Sequence, residues 1–187
     1  MVWKKWEAFK QQVERMAHKE PDRRSVQLMG SMLVRYPEIK TAVYDAKTYQ
    51  LTVDLEVKGE VTQQKLQYFA NMLIESIKTH RHLEGYREIP GIEVSANRIG
   101  NEAVLVHVAR DIRKLSAAEM DLMADLAAEC FGKDLQLDPT VEDTMEDRTI
   151  TDQEQLFDLL LQRVPDFPPE QSLIGYREMG RVVVYNR

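Results

Sequence analysis

The sequence predicts an α+β protein in which helices cover one face of an antiparallel sheet. One local pattern appears three times, a helix followed by a proline, a strand, a tight turn and a second strand. A run of strand-forming residues begins fourteen positions after each proline. The pairs are Pro37 with Leu51, Pro90 with Val104, and Pro168 with Val182. Each α-β-β unit is too small to bury its own core, so we expect the units to pack together.

The order of these units predicts the domain organisation. Two consecutive α-β-β units give a four-stranded antiparallel sheet with two helices on one face, which is a ferredoxin-like arrangement in permuted order. The third unit follows an acidic stretch and is interpreted as a C-terminal addition. The predicted parts are an N-terminal amphipathic helix (1–20), an αββαββα core domain (21–135), an acidic linker (136–150) and a C-terminal αββ unit (151–187).

The composition is that of an ordinary globular protein. Of the 187 residues, 43% are hydrophobic and 30% are charged. No run of 18 apolar residues occurs, and the first residues carry charge where a secretory signal would be apolar. The single cysteine, Cys130, excludes an intramolecular disulfide and a zinc site built from cysteines. These features predict a cytoplasmic protein.

The net charge of −6 argues against nucleic-acid binding, which requires an excess of Lys and Arg. The charge is unevenly distributed. Residues 1–40 hold nine Lys and Arg against five Asp and Glu, whereas residues 138–158 hold eight acidic residues against one Arg. The first 40 residues are therefore basic, and the rest of the chain is acidic.

Residues 2–19 have the pattern of an amphipathic helix. Trp6, Phe9, Val13 and Met16 form one stripe at helical spacing, and lysines occupy much of the other surface. We expect this helix to pack on the domain. The alternatives are a helix that docks on a partner, which the nearby Trp3 also favours, or one that contacts a membrane surface.

Local signals place the elements of the core. A helix over residues 23–36 ends before Pro37, because a proline disfavours the α conformation in the residue that precedes it. Residues 51–57 alternate apolar and polar side chains, as in a strand with one wet face. Thr62 is predicted to cap a second helix, which runs to about Thr79.

Two capping boxes predict further helix starts. Ser116 and Glu119 have the spacing in which the serine accepts from the backbone and the glutamate reaches back. That helix is expected to stop at Gly132. Its predicted buried residues are Leu122, Met123, Leu126, Ala127 and Cys130. Thr151 and Glu154 form a second box, which predicts a short helix leading into the C-terminal unit.

Two clusters are weak candidates for metal binding. His80 and His82 lie at a helix C-terminus, where the helix dipole also favours cations without any metal. Asp121, Asp125 and Glu129 recur every four residues along one helix face. A row of like charges is destabilising, so a positive neighbour, solvent, a basic partner or a divalent cation is expected to compensate it. No motif in the sequence predicts a bound cofactor.

No catalytic motif is present. The chain has no phosphate-binding glycine loop, no nucleophile elbow and no zinc-protease motif. His107 and Cys130 are the one pair able to form a nucleophile, but Cys130 lies on an apolar stripe, where an inert thiol is expected.

The leading hypothesis is therefore a non-enzymatic interaction, adaptor or assembly protein. It would bind another protein or a second copy of itself, forming a homodimer, through an exposed strand edge over residues 182–185 or through the N-terminal helix. The interaction residues proposed on this basis are Trp3, Trp6, Phe9, Val183 and Tyr185. The alternatives are a domain that senses a small molecule or a metal, and an enzyme without a recognisable motif.

Overall fold

The structure, a computed structural model, describes residues 21–88, 91–138, 147–178 and 180–187, with the side chains of residues 147–154 left out. Over these residues the chain forms four α-helices and six strands. The helices are α1 (Arg23–Arg35), α2 (Gln63–Leu83), α3 (Ala117–Phe131) and α4 (Asp147–Gln162). The strands are β1 (Ile39–Asp45), β2 (Gln50–Lys58), β3 (Ile92–Ile99), β4 (Ala103–Asp111), β5 (Ser172–Glu178) and β6 (Arg181–Asn186).

All six strands join one antiparallel sheet in the order β3-β4-β2-β1-β5-β6. The predicted α+β class with an antiparallel sheet is confirmed. The last hairpin enters this sheet through β5, which pairs with β1 so that Tyr44 lies opposite Leu173 and Ala42 opposite Gly175. The two edges of the described sheet are therefore β3 and β6.

Alternation along the strands sends the apolar side chains to one face, where α1, α2 and α3 pack. Leu51, Val53, Leu55 and Val57 of β2 are all buried there, as the sequence predicts. Phe69 of α2 meets Phe131 of α3 with ring centroids 5.1 Å apart. Near β6, a Cβ on Gly175 would lie 2.8 Å from Leu33 Cδ1, so the glycine allows α1 to approach the sheet closely.

The first two helices are capped by side-chain oxygens, and the cap at Thr62 is the one that the sequence predicts. Asp22 accepts hydrogen bonds from the backbone N–H groups of Arg24 and Ser25, at 3.0 and 3.2 Å. Thr62 accepts from the N–H of Lys65 at 3.2 Å. The second helix continues to Leu83, beyond the predicted end near Thr79. The extension has a physical cause, since Arg81 is four residues after Ile77 and continues the buried stripe.

The capping box predicted for α3 is half right. Ser116 accepts from the N–H of Glu119 at 3.2 Å, and Gly132 ends the helix with φ 54°. The Glu119 carboxylate does not reach back to the cap, however, because it accepts from two arginines instead. The buried residues are also shifted around the helix. Those that are fully buried include Met120, Met123, Ala124, Ala127 and Phe131, while Leu122, Leu126 and Cys130 are only partly buried.

The start of α4 corrects another prediction. The helix begins at Asp147, inside the segment predicted as the acidic linker, so Thr151 lies within the helix and does not cap it. Residues 139–146 of that linker lie outside the described residues. Acidic side chains are favourable in the first turns of a helix, and the stretch beginning at Asp147 is compatible with helix for that reason.

None of the helices in the described part of the chain is long and apolar enough to cross a membrane. The predicted helix over residues 2–19 lies outside the described residues, together with Trp3, Trp6 and Phe9.

Candidate interaction site

Strand β6 forms an edge of the described sheet, with β5 on its inner side. Val183 and Tyr185, two of the residues predicted to mediate interaction, lie on this strand. The position of residues 182–185 at a sheet edge is thus as the sequence predicts. The suitability of this edge for binding a partner depends on the backbone and the side chains of the strand.

The direction of the backbone groups in β6 follows from one hydrogen bond. The N–H of Arg187 donates to the carbonyl oxygen of Ser172, which makes that antiparallel pair a hydrogen-bonded one. Hydrogen-bonded pairs alternate with non-hydrogen-bonded pairs along an antiparallel ladder. With Asn186 opposite Leu173 and Val184 opposite Gly175, the N–H and C=O groups of Val182 and Val184 point away from β5.

The side chains of β6 leave this edge unprotected. Between Arg181 and Arg187 the strand has no charged residue and no proline. Natural sheets usually block an edge with charges, proline or a bulge, because an open edge templates pairing with another chain. The opposite edge, β3, carries Glu93 and Arg98, and Arg98 forms an ion pair with Glu60. The two edges therefore differ, and β6 is the one suited to pairing.

The two faces of β6 have different surroundings. Val182 and Val184 are partly buried against the helix-packed core. Val183 and Tyr185 lie on the other face, where the Tyr185 ring stacks on Tyr176 with centroids 5.9 Å apart. An added strand would thus meet an apolar edge whose side chains are already fixed on both faces.

Three of the five histidine and acidic candidates line one open groove. His80 from α2 and Asp121 and Asp125 from α3 line this groove, which has a volume of about 620 Å³. The groove does not bring together a metal-binding set, since no group of three or more potential ligand side chains is found among the residues that the structure describes. His82 and Glu129 are exposed and are not among the lining residues.

The groove carboxylate closest to the core already has partners. Asp121 accepts from the Tyr36 hydroxyl at 2.8 Å and from Arg35 Nη2 at 3.2 Å. The positive neighbour expected for the acidic row is thus an arginine of α1. Burial, reinforced by Asp121, raises the pKa of the Tyr36 phenol far above its usual value. His80 Nε2 lies 3.5 Å from Oε1 of Glu84, the residue that directly follows the same helix.

His107 and Cys130 do not form a catalytic pair. His107 projects from β4 to the sheet face opposite Val106 and Val108, whereas Cys130 belongs to α3 on the helix side. Burial raises the pKa of the Cys130 thiol, which disfavours the reactive thiolate.

His107 instead belongs to a row of polar side chains across four strands. Its Nδ1 lies 2.6 Å from Asp54 Oδ1, and Asn97 Nδ2 lies 3.1 Å from its Nε2. The Thr41 hydroxyl donates to the other oxygen of Asp54. With an amide donor on Nε2, the imidazole has no free nitrogen with which to accept a proton from a nucleophile. The row therefore links the side chains of four adjacent strands.

The buried charges that matter most to the fold were missed at the sequence level. Glu119 lies between Arg81 Nη1 at 2.9 Å and Arg110 Nη2 at 3.0 Å, and its side chain is 1% exposed. The carbonyl of Lys114 accepts a further bond from Arg81 at 3.0 Å. Arg110 follows Val104, Val106 and Val108 in the alternation of buried residues along β4, and this spacing is the sequence feature that indicates its burial. This ion triad joins α2, α3 and β4 and so fixes the walls of the groove.

Comparison of the chain with protein-family models, with curated proteins and with solved structures gave no match. Any function assigned to it therefore depends on its own geometry.

Proposed function

We propose that this protein is a non-enzymatic, cytoplasmic interaction protein with an adaptor or assembly role, and that it binds a partner chain by strand addition along β6. The observation that carries the proposal is the pair of outward-facing backbone groups at Val182 and Val184, in a stretch between Arg181 and Arg187 without charge or proline. In strand addition the main-chain hydrogen bonds supply affinity, while alternating side chains supply specificity.

The chemistry of the edge describes the partner. An extended segment with apolar residues fits the stretch between the two arginines, and acidic residues at its ends would complement Arg181 and Arg187. A second copy of this chain can offer the same edge, so a homodimer paired through β6 is the self-associating form of the proposal.

The test uses a matched pair of substitutions at one position. Val184→Pro removes the outward N–H. The ladder to β5 should stay intact, because an edge strand tolerates proline where its N–H faces away from the neighbouring strand. Val184→Ala loses the same side chain but keeps that N–H. We expect the proline variant to weaken the association by about tenfold or more, because one backbone bond of about 1 kcal/mol is lost and the ring blocks the approaching strand.

The measurement is co-purification at native expression, with sedimentation to detect the dimer. The tagged full chain is compared with both variants after their melting curves show that they fold. A complex present with wild type and Val184→Ala and lost with Val184→Pro supports strand addition. Recovery of a monomer without a partner, or an equal complex with all three chains, contradicts it.

We also propose that the fold is built from repeated α-β-β units, two in a permuted ferredoxin-like order and one added at the C-terminus. The element order α1-β1-β2, α2-β3-β4 and α4-β5-β6 supports this proposal. In that arrangement the added hairpin supplies the edge strand, and the repeat thereby creates the interaction surface.

A further inference from the structure

An apolar patch lies on the far face of the sheet, defined as the face opposite α1, α2 and α3. The far-face patch consists of Ile174 and Tyr176 of β5 and Val183 and Tyr185 of β6. Ile174 is 3% exposed and Tyr176 is 0% exposed. Neither residue belongs to the hydrophobic core that the described helices form with the other face. Residues so completely buried on this face require a cover.

The described chain begins near the start of β5, on the helix-packed side of the sheet. Asp22 caps α1, and the Ser25 hydroxyl donates to Gln171 Oε1 at 2.7 Å, directly before β5. The twenty residues before Pro21 are therefore joined to the described chain near the first residues of β5. As a helix, residues 2–19 would span about 27 Å, at 1.5 Å per residue. The seven residues of β5 extend over roughly 20 Å, at about 3.3 Å per residue.

The N-terminal sequence matches the patch in polarity and in charge. Its apolar stripe contains Trp6, Phe9, Val13 and Met16, and residues 1–20 hold five Lys and Arg against three Glu. Of the acidic side chains on the far face, Asp45 of β1 is adjacent to β5. Asp54 and Glu56 lie one strand further away on β2, where Asp54 contacts His107 and Glu56 forms an ion pair with Lys40. A basic amphipathic helix is therefore complementary to the apolar patch, which has Asp45 at its side.

We propose that residues 2–19 form a helix whose apolar stripe packs on the far-face patch of the same chain. The two groups of residues that the sequence analysis assigned to partner binding then contact each other. The proposal is independent of strand addition at β6, because it uses side chains of one sheet face, whereas strand addition uses the backbone of the edge.

Tryptophan fluorescence tests this directly, because Trp3 and Trp6 are the only two tryptophans in the chain. For the full-length protein we expect blue-shifted emission, resistant to acrylamide and independent of protein concentration. Tyr185→Lys, which places a charge in the patch, should shift the emission to the red and increase quenching several-fold. Leu105→Lys on β4 lies on the same face, separated from β5 by β2 and β1, and should leave both unchanged.

A second variant guards against misfolding of the edge strand. Phe9→Lys leaves the sheet intact and should give the same red shift and quenching as Tyr185→Lys. Solvent-exposed tryptophans in the wild type, or emission unaffected by both variants, overturn the proposal. A blue shift that appears only as the concentration rises also overturns it, because the patch would then be covered by a second copy.

Discussion

Replacing Glu119 by Gln is expected to destabilise the protein by about 3–5 kcal/mol, because two buried guanidinium groups lose their shared counter-charge. The Arg81 and Arg110 side chains are buried almost as completely as Glu119 itself. Glutamine preserves the shape and one acceptor, so the change isolates the charge. Urea denaturation gives the free energy of unfolding from the midpoint and slope.

Glu129→Gln is the matched control for this prediction. It removes the same charge from an exposed position of the same helix, where surface changes fall within about 0.5 kcal/mol. If the two variants unfold at the same denaturant concentration, the buried triad does not hold α2 and α3 to β4 in the way described.

Truncation of Phe157 to Ala is expected to cost about 3–5 kcal/mol, the range for a fully buried phenylalanine. Phe157 of α4 is 0% exposed, packs edge-on against Tyr36 at 6.0 Å, and lies under the Arg35 guanidinium at 5.9 Å. These contacts connect the C-terminal residues to α1. We therefore expect Phe157→Ala to lower the stability of the whole sheet, which should still unfold in one cooperative transition. Thermal and urea unfolding curves measure this.

Leu159→Ala serves as the control on the same helix, since Leu159 is 51% exposed and should change stability by no more than about 0.5 kcal/mol. A Phe157→Ala protein that unfolds in two steps, with the C-terminal hairpin melting first, would show that α4 and the last hairpin form a separate folding unit.

The parts of the fold that follow local rules could be predicted from the sequence. Alternation placed Leu51 to Val57 correctly on one buried face, and side-chain oxygens marked the helix starts at Thr62 and Ser116. The third hairpin was identified, but its neighbour in the sheet was not. The pairing of β5 with β1 depends on contacts between residues more than 120 positions apart, and local periodicity does not encode these.

The charged residues show where local reading fails. Glu119 satisfies the spacing of a capping box, and that local interpretation concealed its role between two arginines. Arg81 falls between His80 and His82 at a helix end, where surface cations are favoured, yet it lies on the buried stripe. Arg81 lies on the buried stripe of a helix, and Arg110 lies on the buried face of a strand. Two buried arginines imply a buried carboxylate between them, but this inference requires that the helix and the strand be considered together.

The central claim is that the outer edge of β6 is available for pairing, and amide hydrogen exchange tests it residue by residue. In the dilute monomer we expect fast exchange at Val182 and Val184 and slow exchange at Val183 and Tyr185, which face β5. In the complex or dimer, Val182 and Val184 should become protected while the other two amides change little. Protection of all four amides in the dilute monomer, or no gain at Val182 and Val184 on association, would contradict strand addition at this edge.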